Sequence, residues 1–292
     1  MQLFSLLADS TLLAAIFIVI ISLLIGSFLN VVILRLPIMM FREWKRDAAE
    51  MDTSLPKHPA LDDLNKPFNL IKPDSHCPQC GAKVRPWQNI PVISWLLLKG
   101  RCKACGQPIS VRYPIVELAT AILSAALIIQ YPWGWPLAAM LVFTWLLLAM
   151  SVIDIDYQIL PDSMTLGLLW LGLLVNSQGM FTDLTDAVYG AACGYLALWS
   201  VYWLFKLATG KEGMGFGDFK LLAALGAWLG VSALPVIILL SSVVGAVVGI
   251  AGIAVLGRDK NLPIPFGPYL AAAGWIAAMW GQDLTAWYLG IL

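Results

Sequence analysis

The sequence predicts an all-α polytopic membrane protein: about eight transmembrane helices with a cytoplasmic zinc-binding loop. Three observations carry that prediction. First, 60% of the 292 residues are hydrophobic and 12% are charged, whereas a soluble domain carries about 25% charged residues. Second, the apolar residues come in runs, and a bilayer core of roughly 30 Å takes about 20 of them per helix. Candidate spans lie at 12–34, 114–131, 136–153, 163–178, 184–207, 216–231, 233–256 and 265–281. Third, the formal net charge of zero hides a one-sided distribution. Of 18 Lys and Arg, 13 fall between Arg35 and Arg112. The rest are Lys206, Lys211, Lys220, Arg258 and Lys260. With eight spans all of them share one side, and the opposite-side segments 1–11, 132–135, 179–183, 232 and 282–292 hold none. The positive-inside rule makes the shared side the cytoplasm and puts both termini outside.

The first span is read as retained. No basic residue precedes it, and it runs into Arg35 without a small-residue cleavage site. Asn30 within it is a polar packing contact between helices, and Pro37 is expected to stop it. Residues 38–113 form the large polar segment. Pro56, Pro59, Pro67 and Pro73 make its first half an irregular arm. Met39 to Glu50 has the pattern of a short interfacial helix, with Trp44 near the headgroups.

The second half of that segment reads Cys77-Pro-Gln-Cys80 and Cys102-Lys-Ala-Cys105, with 21 residues between. Two such knuckles place four thiolates tetrahedrally around zinc. A cytoplasmic loop disfavours the disulfide reading. Gly81 and Gly106 follow the knuckles and suit tight turns. His76 is expected in an outer shell or exposed, His58 has no companion, and Cys193 reads as ordinary packing. The stretch between the knuckles, VRPWQNIPVISWLLLKGR, is more apolar than a zinc knuckle needs, so the module should dock on membrane or bundle.

Spans two and three form a tight hairpin turning at YPWGWP, with Trp133 and Trp135 in an interfacial belt. Glu117, at the inner end of span two, has three readings: snorkelling, pairing with a loop cation, or facing a site. Span three delivers Asp154, with Asp156 and Asp162 close behind; Asp162 or Ser163 can cap the next helix. Loop 208–217, TGKEGMGFGD, leads to Asp218. Its Gly-x-Gly lacks the preceding strand and the spacing of a nucleotide-binding loop. Pro263, Pro265 and Pro268 mark a rigid inner turn before the last span.

An acid against hydrocarbon is a functional hypothesis by default. Asp154 ends an inward-running helix and Asp218 begins an outward-running one, so both lie near the cytoplasmic edge at similar depth. Two neighbouring carboxylates hold one proton between them: one draws a proton from water, the other donates to a carbonyl oxygen. That is aspartic proteolysis. With two His in the chain, both in the loop, a His-based zinc hydrolase is disfavoured. Two other readings stand beside it. Asp154, Asp156 and Asp162 together suit Mg²⁺ in a lipid-phosphate transferase, and a transporter or assembly scaffold would use the acids as a proton relay.

Asp154 followed after five residues by Leu160-Pro161-Asp162, then Gly215-Phe216-Gly217-Asp218 with Lys220, resembles the type IV prepilin peptidases, which are G-x-G-D membrane aspartyl proteases. GSFLNVVILRLP and the tetracysteine loop through to Glu117 resemble the same family, so the likeness covers nearly the whole chain. It implies a catalytic pair of Asp154 and Asp218, with Asp156 outside it. It implies prepilin and pseudopilin substrates, whose short basic leader is cut off after a Gly, commonly before Phe. It also implies N-methylation of the new terminus with S-adenosylmethionine, and Gly100 matches a methylation-associated position. Zinc would be held by Cys77, Cys80, Cys102 and Cys105. The division would be 1–37 as first helix, 38–113 as methyltransferase-associated loop and 114–292 as seven-helix peptidase domain. The setting would be a bacterial inner membrane, multi-pass, with the catalytic face cytoplasmic and both termini periplasmic. Membrane lipid is the expected surrounding, and no nucleic-acid partner is expected.

Overall fold

The structure, a computed structural model, describes residues 10–47, 56–211, 213–257 and 264–291. Glu50, Glu212, Arg258, Lys260, Pro263 and both chain ends, which figure in the expectations above, lie outside the described residues. The chain divides into two compact units, Met1–Trp133 and Gly134–Leu292.

In the first unit the long helix α1 (Thr11–Asp47) packs along α4 (Arg112–Gln130). Their seam is small and polar. A methyl group on Gly26 would lie 2.8 Å from the Cα of Glu117, so only glycine lets the backbones approach this closely. Asn30 Nδ2 donates to the Tyr113 carbonyl at 3.1 Å, the expected packing contact between helices. The expected stop at Pro37 does not occur. Proline removes one intrahelical hydrogen bond and costs about 3 kcal/mol in a helix interior, yet α1 runs through it to Asp47. The reason is anchorage beyond the proline. Ile38 and Phe41 are buried. The buried Arg42 guanidinium donates to the carbonyls of Ala60, Leu64 and Lys66. Arg35 likewise holds the carbonyls of Asn69 and Pro73. The proline-rich arm, with the short helix α2 (Pro59–Asp62), is thus folded onto the C-terminal third of α1 by two arginines. The expected interfacial helix from Met39 is the continuation of α1 as far as Asp47. The short helix α3 (Ile93–Leu97) belongs to the loop between the cysteine knuckles.

The second unit holds α5 (Trp135–Tyr157), α6 (Asp162–Asn176), α7 (Leu184–Thr209), α8 (Phe216–Leu229), α9 (Leu234–Leu256) and α10 (Gly267–Ile291). Its centre is α8. Every residue from Asp218 to Trp228 except Lys220 is buried, and α6, α7 and α10 pack around it. At 14 residues it is about 21 Å long, shorter than the hydrocarbon. The α7–α8 seam is closer still than that of the first unit: Gly190 and Gly226 meet backbone to backbone. Asn176 Nδ2 donates to the Ala227 and Trp228 carbonyls, and Trp228 Nε1 donates to the Leu168 carbonyl, fastening α6 to α8. Cys193, expected to be packed, lies on the exposed side of α7.

Each of the eight apolar runs folds as a helix, and among the described residues five helices are long and apolar enough to cross a bilayer: Thr11–Asp47, Arg112–Gln130, Trp135–Tyr157, Leu184–Thr209 and Val231–Ala254. The chain is a multi-pass, all-α membrane protein.

Candidate active site and metal centre

The last turn of α5 carries Asp154, and the first turn of α8 carries Asp218. Both carboxylates are buried, at 5% and 7% exposure, and Asp218 lies close enough to feel the charge of Asp154. Asp154 is held from a third element. Its Oδ2 accepts the backbone N–H of Gly267, the first residue of α10, at 2.9 Å. A methyl on Gly267 would sit 2.7 Å from that oxygen, so the bond requires glycine.

Local sequence explains how α5 stops at the site. Gln158 takes the left-handed conformation that ends the helix, and its N–H bonds the Asp154 carbonyl at 2.9 Å. Leu160 then turns inward. Its side chain abuts both Gly217, next to Asp218, and Gly267, next to Asp154. One apolar side chain therefore spaces the supports of both acids. Pro161 forms the cap position of α6, so neither Asp162 nor Ser163 caps it. Asp162 instead pairs with Lys220 at 2.6 Å, on the exposed side of α8's first turn. Asp156 is exposed.

Sequence reasoning missed Gly267, and it named Leu160 only as part of the Leu-Pro-Asp motif, without its spacing role. Gly267 had a signal: a glycine between Pro265 and Pro268 at the start of an apolar run. Leu160 stood out by its place in that motif, but nothing in the motif shows which glycines its side chain meets.

The four loop cysteines come together, with all sulfurs within 4.8 Å of one another. The knuckles are near-copies. Gly81 N–H donates to the Cys77 carbonyl and Gly106 N–H to the Cys102 carbonyl, each at 2.9 Å. Backbone N–H groups of Cys80 and Gln79 aimed at the Cys77 sulfur pull its thiol down to about 6. Those of Cys105 and Ala104 lower Cys102. Four converging thiols with backbone donors turned towards them are the donor set of a closed zinc site. Among the described residues they form the only group of three or more side chains close enough to share an ion. His76 is exposed, as expected, and its ring bonds the Asp74 carbonyl.

Gly100 is buried at φ +64°, and a Cβ there would strike the Trp95 indole. Its N–H donates to the Trp95 carbonyl, while Trp95 Nε1 donates to the Ile109 carbonyl. The residue therefore joins α3 to the second knuckle. Glu117 is tied to the loop through the loop's backbone: its Oε2 accepts the N–H of Val92, the residue before α3, at 2.8 Å.

Residues 20–131 match the family described as "Bacterial Peptidase A24 N-terminal domain", and residues 141–250 match "Type IV leader peptidase family". A prepilin leader peptidase/N-methyltransferase of Stutzerimonas stutzeri is 58% identical over 270 residues, 92% of each chain. The protein of the same name in Pseudomonas aeruginosa is 54% identical, over 93% of this chain and 92% of its own. That of Xanthomonas campestris pv. campestris is 50% identical over 91% of each. No solved structure matches the chain. With both of its compact units matched and such relatives spanning nearly its full length, the chain belongs to the type IV leader peptidase family.

Proposed function

We propose that the chain removes the leader from prepilins and pseudopilins at the cytoplasmic membrane face, then N-methylates the new terminus. The observation that carries the peptidase reading is the pair of buried carboxylates, Asp154 and Asp218, supplied by two helices of one compact unit. The pair holds one proton. The ionised member takes a proton from a water molecule as the water oxygen attacks the scissile carbonyl. The neutral member gives its proton to the carbonyl oxygen. When the C–N bond breaks, the leaving amine is protonated by the carboxyl that took the water's proton. Gly267 N–H keeps Asp154 pointed at this position throughout.

Lys206, Lys211 and Lys220 flank the end of the unit that carries the acids, which supports a cytoplasmic catalytic face. A count of eight crossings, with both termini periplasmic in a bacterial inner membrane, follows from the same charge pattern. The substrate suits this position: a basic leader stays in the cytoplasm, an apolar stem stays in the membrane, and the bond between them meets the acids at the boundary.

Methylation is assigned to the loop of residues 38–113. S-adenosylmethionine supplies the methyl group. Zinc on Cys77, Cys80, Cys102 and Cys105 clamps the two knuckles, and Gly100 sets the position of α3 against them. The divalent-metal alternative loses ground because Asp162 is engaged by Lys220 and Asp156 is exposed, leaving Asp154 without carboxylate partners from its own segment.

The test is incubation of detergent-purified protein with a synthetic prepilin and S-adenosylmethionine, read by intact mass. Loss of the leader mass plus one added methyl is expected. A full-length, unmodified substrate would sink the reading for that client.

A further inference from the structure

The loop between the cysteine knuckles presents apolar side chains that neither the zinc site nor the first unit covers. Ile90, Ile93, Leu96 and Leu97 are 45%, 55%, 61% and 75% exposed, and Trp87 is 42% exposed. A knuckle held by four thiolates needs no such surface. Two further observations say what covers it.

The first is depth. Glu117 accepts the N–H of Val92, so α3 starts level with Glu117. That residue lies five positions into α4, roughly 8 Å along its axis. Around and beyond that level α4 shows its own exposed apolar residues, Ile115, Leu118 and Ile122, and α4 is long and apolar enough to cross a bilayer. The apolar tip of the loop is therefore tied to the membrane-facing part of a spanning helix.

The second is charge. From Ser75 to Val116 the chain carries Lys83, Arg85, Lys99, Arg101, Lys103 and Arg112, and no Asp or Glu. Lys99 and Arg101 follow α3 directly, and Lys103 sits over the Trp87 ring at 4.7 Å. Cations beside exposed Trp and Leu are what an anionic leaflet attracts and then holds.

We infer that α3 is an interfacial lipid anchor: Ile93, Leu96 and Leu97 enter the acyl region of an anionic leaflet, and Lys99, Arg101 and Lys103 contact its phosphates. The tetracysteine knuckles then rest on the headgroups. Gly100, between anchor and knuckle, fixes the angle between the two.

Lipid contact is read without any turnover. A benzoylphenylalanine photocrosslinker is placed at Leu97, and separately at Lys66, whose side chain is 80% exposed on the arm. The full-length, zinc-loaded chain is put into nanodiscs of phosphatidylglycerol and phosphatidylcholine and irradiated. Adducts are identified by mass spectrometry, and zinc content reports a folded loop. Leu96, 61% exposed, is the replacement position if the Leu97 variant loses zinc. Lipid adducts severalfold more frequent at Leu97 than at Lys66, and fewer in purely zwitterionic discs, are expected. Crosslinks from Leu97 to another part of the chain or to a second copy would overturn the anchor. So would lipid labelling no greater than at Lys66.

Discussion

The tetracysteine site and the aspartate site are built in opposite ways. All four thiols come from one stretch, Cys77 to Cys105, each pair made by a short turn that satisfies its own backbone bonds. The two carboxylates are 64 residues apart in sequence, buried, and positioned by three helices. What makes that assembly possible is clearance: Gly267 and Gly217 at the acids, Gly190 and Gly226 deeper in the bundle. A locally built site tolerates changes elsewhere. An assembled site inherits every change in the packing that assembles it.

The sharpest way to break this contrast is at the acids. Asp154→Asn and Asp218→Asn should each lower leader cleavage by about 10²- to 10⁴-fold, while Asp156→Asn cleaves normally, all read by product mass. Equal losses in all three would mean the exposed carboxylate also takes part. Next comes the clearance that aims Asp154. Gly267→Ala puts a methyl 2.7 Å from the Asp154 oxygen, and a misplacement of this size lowers turnover by up to about 10²-fold. Cleavage rate is expected to fall more than the thermal midpoint does.

Deeper in the bundle the order reverses. Gly226→Ala drives a methyl into the Gly190 carbonyl, and overpacking of this kind costs about 1–3 kcal/mol or more, so the thermal midpoint in detergent should drop first. On the thiol side, Cys80→Ser should release zinc, measured with a chelating dye, yet leave cleavage within a few-fold of the parent. A collapse of cleavage would show that the two sites are not built independently. Zinc retention should also weaken as the pH falls, because protons compete with zinc for the four thiolates. The smallest effect is expected at the partly exposed Lys220–Asp162 pair, 25% and 61% exposed. Lys220→Met should change stability by less than about 1 kcal/mol.

Most of the fold was legible because lipid enforces it. Backbone groups in hydrocarbon must bond within helices, so long apolar runs became helices nearly where hydropathy put them. The acids and cysteines stood out because each is out of place, the one against hydrocarbon and the other in paired knuckles. What stayed hidden was contact between ordinary residues. Pro37 read as a stop because the arm that holds the helix beyond it is bonded through carbonyls, and any sequence carries those. Glu117 invited three guesses about charge, and its partner proved to be a peptide N–H. Leu160 was marked by its motif, but its contacts with Gly217 and Gly267 were not.

The length of α1 has a mechanical consequence. Its 37 residues make a rod of about 56 Å, far longer than a hydrocarbon slab of about 30 Å. Bilayers differ in thickness, and spanning helices answer by tilting or sliding. Sliding is closed to this one. Arg35 and Arg42 grip the arm's backbone near the C-terminal end of α1, and Gly26 is keyed against Glu117 farther along. A change of membrane thickness must therefore tilt α1 and α4 together as one body, swinging the arm and the zinc loop across the membrane surface rather than lifting them from it.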